Sequence, residues 1–279
     1  FFAGVNAARL HPTIDVTIFE KSREVMSKVR ISGGGRCNVT HHCFDPEVMA
    51  KAYPRGSKEL RWAFEQFQPQ DTVDWFESRG ITLKTESDGR MFPTTDDSAT
   101  IINCLKNEAK THGVTVRTKT RIEAIDKNEE EGYNLSIRGE GTETFDAVVI
   151  ATGGSNRRTN YEWLEELGHE IVEPVPSLFT FNFKDKIFDD LSGISVENCS
   201  VAIQGTSYQH EGPIRITHWG LSAPAVLKTS SWAARYLHDQ NYNFTIEVNW
   251  LHPQHESKVR ETLDELRQHN ARKTAAKQD

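Results

Sequence analysis

The chain has 279 residues, 37% of them hydrophobic, with a formal net charge of −7 and a pI near 5.9. That length suits one large domain or two ordinary ones, and the acidic balance argues against a nucleic-acid partner, which would select a basic patch or stripe. No apolar run reaches the roughly 18 residues of a membrane span and no secretory signal is visible, while four cysteines without a CxxC spacing fit reduced thiols in a cytoplasmic protein.

Residues 1–10 read as a helix, with Phe2, Val5 and Ala8 at helical spacing and His11-Pro12 as its stop. Residues 14–19 are β-branched and partly alternating, a strand that ends at Glu20-Lys21. A helix followed by an acid-ended strand is the second half of a βαβ nucleotide-binding unit, where the acid takes the ribose hydroxyls. Taken alone, Glu20 reads first as an ordinary charge at a strand end. The glycine-rich fingerprint of such a unit is expected just before Phe1. Next comes Ser32-Gly33-Gly34-Gly35-Arg36-Cys37-Asn38-Val39-Thr40. Three glycines bury almost no side chain and lose the most backbone entropy on ordering. Their use is close backbone approach, and the Arg36 fork suits phosphate. On composition alone, a flexible surface loop is the competing reading.

Helices follow at residues 58–67, with Leu60, Phe64 and Phe67 on one face, and at 72–79, ended by Gly80. Residues 81–86 read as a strand, 87–89 as a turn and Arg90-Met91-Phe92-Pro93 as the return. A helix opens at Ser98, buries Ile101, Ile102 and Leu105, and ends near Gly113. Four strands are predicted at 114–116, 121–126, 133–138 and 144–151. The run 145–151 is apolar on both faces, as a central parallel strand should be, and it ends in Thr152-Gly153-Gly154. Beyond Gly154 come a short helix at 163–167, strands at 178–183, 195–203, 214–217 and 243–248, and helices at 223–237 and 256–268. The tail from Ala271 is polar. The fold predicted is α/β: a Rossmann-like parallel-sheet domain over residues 1–154, interrupted by a β-rich domain with a small helical part over 155–279. Both ends read as incomplete.

Several short motifs agree in order and spacing: Phe19-Glu20-Lys21, residues 32–40, Tyr53-Pro54-Arg55-Gly56, Gly89-Arg90-Met91-Phe92-Pro93, Ala151-Thr152-Gly153-Gly154, and the run from Thr217-His218-Trp219-Gly220 to Leu227. Together they resemble the BaiN/YhiN-like family of bacterial FAD-dependent, NAD(P)H-linked oxidoreductases, some of whose members are described as aminoacetone-oxidase-like. The resemblance runs from Phe1 to about residue 237. It implies a glycine-rich segment before Phe1 and another beyond Asp279 that returns to the flavin. Family members more often carry Gly where Ala223 stands.

The resemblance implies that Glu20 binds the adenosine ribose with Lys21 near it, that Lys28 is the family's basic residue upstream of the loop, and that Ser32, Gly33, Gly34, Gly35, Arg36, Cys37 and Asn38 pass under the flavin and pyrophosphate. An amide such as Asn38 can hydrogen-bond the ring and tune its electronics. Ile122 is the expected adenine neighbour, or an ordinary core isoleucine. Small residues at Ala151, Thr152, Gly153 and Gly154 would let backbone approach the dinucleotide, or simply cap a turn. Arg90 reads as a carboxylate or phosphate ligand, or as one end of a surface salt bridge. His218 reads as a proton donor or a structural histidine. Tyr53 and Arg55 are weaker substrate candidates. Cys37, His41, His42 and Cys43 lack the spacing of a zinc finger or ribbon, so no metal is expected.

The function implied is an FAD-dependent oxidoreductase, reduced by NAD(P)H and passing hydride to a small organic acceptor, with neither nucleic acid nor membrane as partner. The alternatives are a flavin amine-type oxidase using oxygen, and a non-catalytic FAD- or nucleotide-binding protein.

Overall fold

The computed structural model describes residues 1–185, 187–254 and 256–269. The polar tail from Ala271 lies outside them. Two compact units emerge: Phe1–Gly154 with Thr159–Ile171, and Ser155–Arg158 with Val172–Asp279.

The first unit contains α1 (Phe2–Leu10), β1 (Thr17–Glu20), α2 (Ser27–Ile31), β2 (Thr40–His41), α3 (Pro46–Lys51), α4 (Ser57–Gln66), α5 (Pro69–Glu77), β3 (Leu83–Thr85), β4 (Arg90–Pro93), α6 (Ser98–Thr111), β5 (Thr115–Thr118), β6 (Ile122–Lys127), β7 (Tyr133–Ile137), β8 (Gly141–Phe145) and α7 (Glu162–Glu166). β1 and β5 pair in parallel, Thr17 opposite Thr115 and Glu20 opposite Thr118. Parallel pairing requires a long crossover, here everything between the two strands, ending in α6. That helix starts cleanly because the Asp97 carboxylate accepts from the Ala99 N–H at 2.8 Å. Its Ile101, Cys104 and Leu105 meet Val5 and Ala8 of α1 and Trp75 and Phe76 of α5 in one apolar core. The antiparallel meander β6–β7–β8 is tied to the parallel pair by Arg117, bonded to both Glu143 oxygens at 2.8 Å, and by Phe19 against Phe145 at 5.7 Å. A third, small sheet runs β2–β4–β3. This is a mixed α/β, Rossmann-type architecture, as the sequence predicts.

The predicted strand 144–151 is only partly present. β8 ends at Phe145, and residues 146–151 join no ladder, with Val149 74% and Ile150 41% exposed. An apolar, β-branched run supplies propensity but not a neighbour, and the parallel sheet holds only β1 and β5 among the described residues. α3 was not anticipated. It is a short helix with Asp45 as its cap and Pro46 at its first position.

The second unit contains β9 (Phe181–Asn182), β10 (Ser195–Ile203), β11 (Gln209–Thr217), β12 (Gly220–Ser222), α8 (Pro224–Trp232), α9 (Ala234–Asp239), β13 (Ile246–Asn249) and α10 (Glu256–His269). One antiparallel sheet runs β13–β10–β11–β12–β9. Ile214, Ile216, Leu221, Ala225 and Val226 close its core. The helix predicted over 223–237 is two helices. The backbone leaves the helical range at Ala233 (φ −85°, ψ 5°), and Ala233, Ala234 and Leu237 are all fully buried.

Candidate functional site

At the end of β1, the Ser22 N–H donates to Glu20 Oε1 at 2.8 Å, and the Thr120 N–H donates to the Glu20 carbonyl at 3.0 Å. Glu20 Oε2 has no partner among the described residues, so it remains available as an acceptor. Lys21 is exposed beside it. Ile122, half-buried, opens β6 opposite Ile137, two residues beyond Thr120.

α2 leads into the glycine loop. Gly33, Gly34 and Gly35 all take left-handed backbone, φ 57°, 72° and 88°. The reason differs along the loop. A Cβ on Gly33 would stand 2.7 Å from the Phe92 ring and 3.0 Å from the Asn38 backbone nitrogen, whereas one on Gly34 would meet nothing within 4 Å. Gly34 therefore leaves an open face that backbone alone lines. Gly153 is also left-handed, φ 75°, and a Cβ there would stand 2.7 Å from Lys28 Nζ. The structure thus brings Lys28, from the helix before the loop, against the second glycine turn. The Lys28 ammonium forms no ion pair among the described residues. Ala151, Thr152, Gly153 and Gly154 are exposed.

The other loop residues are placed differently. Arg36 donates from Nη1 to Glu86 Oε1 at 2.5 Å and from Nε to the Gly33 carbonyl at 3.3 Å, and it lies over the Phe92 ring at 4.0 Å. Its Nη1 serves the β3–β4 hairpin and its Nε the loop's own carbonyl. Cys37 is 6% exposed and packs into the α1–α5–α6 core, where burial pushes its thiol up from the ordinary range while a hydrogen bond with Ser32 works against that. It holds a left-handed φ of 64°, rare for a residue with a Cβ. Asn38 is exposed.

Among the substrate candidates, Arg90 is bonded to Asp88 at 2.7 Å and Glu86 at 3.1 Å, the salt-bridge reading. Tyr53 sits between α3 and α4 against Phe64, with Arg55 exposed two residues on. His218 is exposed at the β11–β12 turn beside Trp219. His41 packs under Gly89 and its Nε2 lies 3.1 Å from the Asp88 carbonyl, while His42 stacks on Phe44. The four cysteines are free thiols. A cleft of about 430 Å³ near Arg23, Lys106 and Lys110 touches neither glycine turn.

Two histidine and carboxylate positions escaped the sequence reading. Glu86 gathers both arginines and has no local pattern to reveal it. His210 on β11 faces Thr229 Oγ1 at 3.2 Å. Because Thr229 donates to the Ala225 carbonyl, its oxygen accepts from His210 Nδ1–H. Burial first, then Lys228, lowers the His210 pKa.

A parallel βαβ half with an acid at its strand end and glycine turns beside a free cation belongs to the class of Rossmann dinucleotide-binding proteins. Within that class the chain is a member of the HI0933-like family, whose Rossmann-domain profile matches residues 1–259, the family its motifs resemble. It is 25% identical over 270 residues to the 3-dehydro-bile acid delta(4,6)-reductase of Clostridium scindens, covering 94% of this chain and 64% of that protein. It is 29% identical over 227 residues to the ribosomal RNA dihydrouridine synthase of Escherichia coli, 78% of this chain and 54% of that protein, and 27% identical to the Haemophilus influenzae protein of the same name, with 78% and 55% covered. The chain spans less than two thirds of these relatives' length.

Proposed function

We propose that the chain carries the cofactor-binding part of a cytoplasmic FAD-dependent oxidoreductase that uses NAD(P)H to reduce a carbon–carbon double bond conjugated to a carbonyl in a small organic acceptor. The observation that carries this reading is the meeting of the glycine loop's helix, through Lys28, with the Gly153 turn. It is supported by the two kinds of relative. Their names differ in substrate, yet a delta(4,6) reduction of a 3-dehydro-bile acid and the formation of dihydrouridine are both saturations of a carbonyl-conjugated bond.

The residues present fit FAD. Glu20 Oε2 is free to accept from a ribose hydroxyl, with Lys21 beside it. The open face of Gly34 and the Gly33–Gly35 backbone admit a close approach, and Lys28 offers an unpaired charge to a phosphate or to the reduced ring. Asn38 provides an amide for the ring, and Ile122 an apolar neighbour for the adenine. When bound, FAD supplies the hydride relay between NAD(P)H and acceptor. The net reaction places a hydride on the carbon β to the carbonyl and a proton on the α carbon, and leaves NAD(P)⁺. Within the first unit, Tyr53 is the substrate contact offered. Arg90 is not, because Asp88 and Glu86 already hold its fork.

The net charge of −7 favours a small acceptor over RNA. The dihydrouridine synthase relatives favour RNA as the second reading. The test uses the whole protein. A purified yellow protein should be bleached anaerobically by NADH or NADPH and reoxidised by a 3-oxo-4,6-diene steroid acid. Protein without flavin would end the reading. Reoxidation by a uridine-containing ribosomal RNA fragment alone would move the substrate to RNA, and reoxidation by oxygen alone would make it an oxidase.

A further inference from the structure

The glycine loop is clamped by residues about fifty positions away. Glu86 sits at the β3–β4 hairpin, fixed by its own backbone: its N–H donates to the Arg90 carbonyl at 2.8 Å and its carbonyl accepts from the Gly89 N–H at 2.9 Å. Its two carboxylate oxygens take two different arginines, Oε1 from Arg36 at 2.5 Å and Oε2 from Arg90 at 3.1 Å. Both guanidinium groups lie over the same fully buried ring, Phe92, at 4.0 and 5.4 Å. The other face of the contact is Gly33, which would collide with that ring if it carried a Cβ. Asp96 lies 3.6 Å from Arg36 and also pairs with Lys84, and Asp88 pairs with Arg90. Three cations and three anions therefore cancel around the loop.

We propose that Glu86 is a positioning residue for the cofactor. It holds Arg36 on Phe92, keeps Gly33–Gly35 in left-handed backbone, and so offers the loop to the cofactor as backbone amides without net charge. Arg36 is then a clamp and not a phosphate ligand. An isolated exposed ion pair would do little. This one is shared between two arginines stacked on one ring, and Arg36 also bonds the carbonyl of the glycine it restrains. The inference rests on reading the loop as a wall of the FAD site, and its test separates the two.

Glu86→Gln and Glu86→Asp are made in the whole protein. Amide hydrogen exchange over residues 32–40 is measured on flavin-free protein, and FAD affinity by titration. Glu86→Gln should raise loop exchange and weaken FAD binding by about tenfold each, because a charge-assisted bond becomes a neutral one. Glu86→Asp, which keeps the charge, should recover part of both. Unchanged exchange in Glu86→Gln would overturn the clamp. Faster exchange with unaltered FAD affinity would overturn the positioning role, and Gly34→Val then decides the loop itself: flavin lost by that folded variant keeps the loop as a cofactor wall, and flavin retained removes it.

Discussion

At Gly33 a side chain fails twice, by left-handed strain and by collision with Phe92, while at Gly34 only the backbone objects. The two positions therefore separate folding from cofactor binding. Gly33→Ala should destabilise the flavin-free protein by about 2 kcal/mol, the scale of overpacking a tight contact. Gly34→Val should leave the fold within about 1–2 kcal/mol of the parent, the cost of a strained backbone, yet abolish FAD binding. Thermal melts and FAD titration of both variants check this, and flavin retained by folded Gly34→Val would remove the loop from the site. Ala223 presents the reverse situation. It takes φ 84°, ψ 175° just before Pro224, a region suited to glycine, so Ala223→Gly should stabilise the second unit by about 1 kcal/mol, read as a raised denaturation midpoint.

Between elements, Arg79, two residues past the end of α5, ties that helix to α6. Arg79 donates from Nε to Glu108 at 2.6 Å and from Nη1 to the Trp75 carbonyl at 2.8 Å, and it stacks on the Trp75 ring at 3.7 Å. Both side chains are more than four-fifths buried. Glu108→Ala leaves a buried guanidinium without its carboxylate and should cost about 3 kcal/mol, measured by urea unfolding. In the second unit, His210 is held neutral by burial, so the unfolded chain takes its proton first as the pH falls. Stability should decline below the ordinary histidine pKa of about 6.5 and level off only once the lowered folded value is passed. Replacing it in His210→Gln should flatten the melting temperature between pH 8 and 5, and an unchanged slope would show that this histidine is not responsible. Much at this scale was legible from periodicity. α1, α6 and β10 follow their apolar spacing because a helix or strand face is set locally. The clamp on the glycine loop was not legible. Residues 32–36 and 90–92 stand out as motifs, but that Phe92 lies under Gly33 and Glu86 between two arginines depends on how the hairpin folds back. The strand at 146–151 failed for a related reason, since an apolar run specifies burial and not a pairing partner.

For the whole molecule, the decisive feature is that the described core is divided. Val5, Trp75, Ile101 and Leu105 close one cluster and Ile214, Leu221, Val226 and Leu237 another, and no residue belongs to both. Every residue proposed to bind FAD lies in the first unit. A ligand that binds only the folded form stabilises what it binds, by about 2.7 kcal/mol at a hundred times its Kd, so FAD should act on one unit alone. Calorimetry of the whole protein should show two unfolding transitions, of which added FAD raises one. Leu221→Ala, a fully buried side chain in the antiparallel-sheet core, should lower the other by about 3 kcal/mol through the cavity it leaves, with FAD affinity unchanged. Leu105→Ala should lower the FAD-sensitive transition instead. A single transition moved by both FAD and Leu221→Ala would mean that the two cores melt together and that the flavin site draws its stability from the second unit as well as the first.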